Sequence, residues 1–133
     1  MKTLIEITTS AYPDPYQVTA MMTEKDGVIS YKWCEQRTAD EKESLYELIV
    51  NTKTATATVK RSGSIKSEME FKVGEETLGG INTFYGLIPV KITTEYMNMP
   101  SAVSESFSMS YILYSGDNEL VKNTFSLKRL LQT

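Results

Sequence analysis

Arg61 is the residue best placed to do chemistry. It ends an alternating run in which Ala55, Ala57, Val59 and Arg61 share one face and Thr54, Thr56, Thr58 and Lys60 the other. That period aims Arg61 inward at a strand end. A guanidinium taken out of water must be paired or hydrogen-bonded, because an unpaired buried charge is costly. Two readings follow. In one, Arg61 is a cationic anchor for the acidic group of a bound molecule. In the other, it bonds backbone carbonyls or a glutamate to close the structure, or simply emerges at the rim; structural ion networks of this kind are common.

Other residues could line a cavity beside it. Met69, Phe71, Phe107, Met109 and Tyr111 all fall on apolar faces, and methionine and aromatic side chains suit adaptable ligand pockets. Ala55, Ala57 and Ser67 are small and would leave space on that side. Tyr111 would add a second polar anchor. The plainer alternative is a packed core, since a small barrel can be filled by its own side chains. Tyr85 either places a phenol at the rim or packs across a bend supplied by Gly86. Arg61, Met69, Phe71, Tyr85, Phe107, Met109 and Tyr111 are thus the candidate ligand-binding set.

Catalytic readings find little support. The chain has no histidine, so Ser-His-Asp and Cys-His nucleophile systems cannot form in their usual way. Histidine-ligated zinc or iron is excluded, and one cysteine, Cys34, cannot build a structural zinc site or an intrachain disulfide. A carboxylate-only site for magnesium or calcium stays open. Cys34 has no activating cation nearby except Lys32 and reads as an inert buried thiol beside Trp33, which plugs the core. Glu68 and Glu70 point the same way but alternate with Lys66 and Lys72, as solvated surface charges do. Neither enzymatic activity nor a cofactor is expected.

The elements that must position these residues are strands. From Ile65 to Val73, charged and mostly apolar residues alternate strictly. Phe107, Met109, Tyr111 and Leu113 face away from Ser106, Ser108 and Ser110. Val121, Asn123, Phe125 and Leu127 alternate with Lys122, Thr124, Ser126 and Lys128. Such alternation marks strands buried on one side. Lys2–Thr9, Tyr16–Glu24, Val28–Glu35 and Leu45–Asn51 are strand-like in composition. Ile88, Val90, Ile92 and Tyr96 share a face after a break at Gly86, where glycine suggests a bulge or bend. Turn residues separate the runs, among them Asp26-Gly27, Gly79-Gly80 and Ser115-Gly116-Asp117-Asn118. The sum is about eight or nine short strands with short connections, hence antiparallel neighbours in a barrel or a sandwich.

The order Arg61-Ser62-Gly63, Met69-Glu70-Phe71, Asn82-Thr83-Phe84-Tyr85-Gly86, Ile92-Thr93-Thr94, Tyr111 and Asn123-Thr124-Phe125 resembles the YwiB-like family of small bacterial proteins of unknown function. The resemblance covers roughly the C-terminal two-thirds of the chain. It implies a closed calycin-type barrel, similar to lipocalins and fatty-acid-binding proteins; the latter use a cationic anchor of the kind Arg61 would provide. It leaves the activity open.

Composition bounds the rest. The 133 residues suit one domain, 1–133, and 41% hydrophobic content is enough for a real core. A net charge of −3, from 14 basic and 17 acidic residues mixed along the chain, gives no basic patch for nucleic acid. No stretch approaches the roughly 20 apolar residues of a membrane helix, and no signal peptide is evident, so the cytoplasm is the expected compartment. The expected partner is a small hydrophobic or acidic ligand; the alternative is a packed barrel that engages another protein.

Overall fold

The computed structural model describes residues 1–36, 42–63, 65–100 and 106–130. The alternating segments form ten strands: β1 (Lys2–Thr9), β2 (Tyr16–Lys25), β3 (Val28–Glu35), β4 (Ser44–Asn51), β5 (Thr56–Ser62), β6 (Lys66–Lys72), β7 (Glu76–Thr83), β8 (Gly86–Asn98), β9 (Ser106–Ser115) and β10 (Asn118–Arg129). Each strand pairs antiparallel with its neighbours in sequence. β10 returns to β1 with Ile5 opposite Arg129 and Thr9 opposite Phe125, so the sheet closes into an up-and-down barrel. Closure removes the exposed edges that would otherwise invite association. The sequence expectation of a closed antiparallel barrel holds, with ten strands in place of eight or nine.

The extra strand comes from Gly86. Thr83 pairs with Gly86 across Phe84 and Tyr85, and Gly86 has a φ of 118°, where side chains are strained. The glycine therefore makes a two-residue hairpin turn, and what reads as one bent strand is two. The bulge lies further along β8. Thr94 pairs with Tyr111 but Tyr96 with Ser110, leaving Glu95 as the additional residue. One inserted residue reverses the facing of all that follow. Tyr96 consequently points to solvent instead of sharing the inner face of Val90 and Ile92, and Met97 and Met99 pack on the core. Ala55 also departs from the expectation. It lies in the turn before β5 with a φ of 55° and is exposed, so it opens no space inside.

The inward rows build an uneven interior. Ile5, Ile7, Tyr31, Leu48, Val50, Phe71, Ile92, Phe107 and Leu127 have almost no solvent-accessible surface. Tyr16, Tyr46, Val59, Met69, Ile81, Tyr111 and Phe125 pack against that core but are only partly buried. These belong to the end of the barrel where odd-numbered strands finish and even-numbered strands begin, and there the interior is not filled.

Candidate functional site

A cavity of about 420 Å3 occupies that end of the barrel. Val59, Met69, Ile81 and Phe125 give it an apolar lining. Tyr16, Trp33, Glu35, Tyr46, Arg61, Ser67, Tyr111 and Asn123 supply polar groups, and Tyr12 and Ile65 border it from the connections after β1 and before β6. Register explains the space: Arg61 on β5 stands opposite Ser67 on β6, whose side chain is too small to fill the wall.

Arg61 belongs to a cross-strand stack. Trp33, Tyr46 and Arg61 are successive partners across β3, β4 and β5. The Trp33 and Tyr46 rings stack at 5.6 Å with 8° between their planes, and the Arg61 guanidinium carbon lies 5.3 Å from the Tyr46 centroid. Such a cation on an aromatic face contributes about 0.5–1 kcal/mol where water is near. The hydrogen bonding is thin. Nη2 donates to Ser44 Oγ at a long 3.5 Å, and buried Nε has no partner among the described residues. Nor does Arg61 form an ion pair with any described carboxylate.

Glu35 follows Trp33 on the inner row of β3. Its Oε1 accepts from the Tyr16 hydroxyl at 2.7 Å and from Trp33 Nε1 at 3.0 Å, which holds that oxygen on the β2–β3 wall. Burial first, then the hydrogen bond and negative charge of Glu35, push the Tyr16 phenol far above its ordinary range. In the unfolded chain this phenol ionises near pH 10. Above that pH the unfolded state binds fewer protons than the folded one, so stability must fall as pH rises. Urea unfolding between about pH 10 and 11 should therefore lose about 0.5 kcal/mol per pH unit more in the wild type than in Tyr16→Phe; the ring is only half-buried and solvent screens the rest. Equal slopes would refute the coupling.

Three of the candidate residues, Arg61, Met69 and Tyr111, line the cavity. Phe71, Phe107 and Met109 do not, because they are fully buried in the packed part; Phe71 lies against Tyr111 with ring centroids 4.7 Å apart. Tyr85 is neither at the cavity rim nor packed across the glycine. It sits with Phe84 at the tip of the β7–β8 hairpin, and both are 95% exposed. Trp33 is buried as expected, but alternation along β3 turns Cys34 outward, so it is exposed and not inertly buried. Desolvation and Glu43 hold its thiol above the usual range, the opposite of activation. Glu68 and Glu70 are exposed. Tyr16, Glu35, Tyr46 and Asn123 were not singled out from the sequence. Glu35 and Asn123 were visible there as polar members of otherwise apolar rows.

A wider depression of about 530 Å3 crosses the outer face, where Lys60, Lys66, Glu47 and Glu68 mix with Leu45 and Leu87. Its interleaved charges are those of a solvated surface. Among the described residues no cluster of three His, Cys, Asp or Glu side chains could hold a metal ion, and no helix is long and apolar enough to cross a membrane.

Residues 14–127 match the profile of the family described as a domain of unknown function, DUF1934. The chain belongs to this family. The crystal structure of the ywiB protein from Bacillus subtilis is similar to it, with a TM-score of 0.69 and 16% identity over 98% of this chain and 91% of that one. The YwiB-like resemblance drawn from Arg61 to Phe125 is thus correct. At that identity the likeness speaks for the barrel alone. None of the curated proteins matches the chain.

Proposed function

We propose that the protein is a non-enzymatic, cytoplasmic binding module whose barrel holds a small apolar molecule bearing an acidic group, with Arg61 as its anchor. The observation that carries this reading is Arg61 Nε, a charged-group donor buried in the wall of the cavity without a partner among the described residues. Buried polar groups are rarely left so, and each costs about 1–3 kcal/mol. A carboxylate entering the cavity would satisfy Nε and one Nη together, in the two-pronged geometry a guanidinium favours. Val59, Met69, Ile81 and Phe125 would take the apolar body. The volume falls within the range usual for small-molecule sites, about 300–1,000 Å3. The single exposed Cys34 suits a reducing compartment.

A protein-interaction role is the second reading, favoured by the exposed Phe84 and Tyr85 at the hairpin tip. Native mass spectrometry of gently purified protein separates the two. Under the binding reading the wild type carries an extra mass that Arg61→Ala loses. Bare masses for both proteins would move the argument to the interaction role.

A further inference from the structure

Across the cavity from Arg61 lies a second polar group with a defined direction. Asn123 sits on β10, five strands from β5 whichever way one goes round the ring of ten. Tyr111 on β9 is its direct partner in register. The Thr124 amide donates to Ser10 Oγ at 3.0 Å, and Ser10 Oγ donates to Asn123 Oδ1 at 3.2 Å. A backbone amide can only donate, so the Ser10 hydrogen is free to pass on to Asn123. With its oxygen engaged by Ser10, Asn123 has only its NH2 group, a donor, left to offer its register partner Tyr111. The phenol hydrogen is left without a partner among the described residues, on a ring that lines the cavity. Bonds polarised in one sense along a chain strengthen one another. Burial raises this phenol's pKa above its ordinary range, so the hydrogen is present at any physiological pH.

We infer that the bound acid carries a second, uncharged acceptor, a carbonyl or ether oxygen, at the end remote from its acidic group, and that Tyr111 Oη donates to it. A pure hydrocarbon end would desolvate that donor and give nothing back, which is the expensive way to bury a hydroxyl. The inference rests on the acid-binding reading and deepens it: Arg61 selects the charge, and Tyr111 selects what the far end of the molecule presents.

Isothermal titration calorimetry with two matched sets of probes tests this. One set is medium-chain fatty acids of graded length. The other is keto acids of the same lengths with the carbonyl next to the terminal methyl. The wild type should bind its best keto acid about tenfold tighter than the plain acid of equal length. Tyr111→Phe keeps the ring that packs on Phe71; it should lose the preference and bind the plain acid more tightly than the wild type does, because no donor is left to desolvate. Equal binding of the two sets by the wild type, or a preference that survives in Tyr111→Phe, would overturn the inference and leave the acid-binding reading standing. Binding of neither set would overturn both.

Discussion

Arg61→Met is expected to melt at a higher temperature than the unliganded wild type, by about 3–5 °C, while losing the bound acid. The expectation follows from what Arg61 gains and gives up. Its Nε is buried unpartnered, at a cost of about 1–3 kcal/mol. Against this stand the contact with Tyr46, about 0.5–1 kcal/mol, and a bond to Ser44 too long to count for much. Methionine keeps an unbranched, polarisable stem on the Tyr46 ring and removes the orphaned donor. The balance favours the variant by about 1 kcal/mol, which for a chain of this size is a few degrees. Stabilisation on removing a side chain is what a site held in strain for a ligand produces. Adding acid should invert the order. At a hundredfold excess over Kd the wild type gains about 2.7 kcal/mol and the variant nothing. A variant destabilised by 2 kcal/mol or more would instead make Arg61 a structural residue, and the acid-anchor reading would fall.

The barrel was legible because strand alternation is a local signal. Each of the runs containing Val59, Met69, Tyr111 and Phe125 declares its inner face by two-residue periodicity, and short connections leave only antiparallel neighbours. The count of ten was less legible. Gly86 in a strand pattern is compatible with a bend, a bulge or a turn, and only the pairing of Thr83 with Gly86 decides among them. Tyr96 was placed on the wrong face for a related reason: nothing in the residues around Glu95 announces the inserted position. The site was legible in its direction but not in its depth. Alternation shows that Arg61, Met69, Phe71, Phe107, Met109 and Tyr111 point inward. It carries no information on how far along the barrel axis each one lies. Depth depends on register and strand tilt, and it is depth that puts Phe71 in the packed part and Met69 at the cavity. The stack of Trp33, Tyr46 and Arg61 is likewise a matter of register between strands whose facing in the N-terminal half was obscure.

That difference in depth makes the second prediction. Phe71→Ala should destabilise the protein by about 4 kcal/mol, and Met69→Ala, two residues earlier on the same face of the same strand, by about 1–2 kcal/mol, both read from urea or thermal unfolding. Phe71 has no accessible surface and packs on the Tyr111 ring, and its cross-strand partner is Ala57, which cannot reach into the space left behind. Truncating a buried phenylalanine to alanine ordinarily costs about 3–5 kcal/mol, the more so where the surroundings cannot collapse. Since small domains are stable by about 5–15 kcal/mol in all, Phe71→Ala takes a large share. Met69 already faces the cavity, so its removal enlarges an existing space and forfeits contacts on one side only. The contrast tests the uneven interior directly, without reference to any ligand. Equal and large losses at both positions would mean that the cavity end is packed in solution, which would favour the interaction role over binding. A loss at Met69 that is small in the unliganded protein and grows when acid is present would place the ligand's apolar body against Met69, with its acid at Arg61 and its far end at Tyr111.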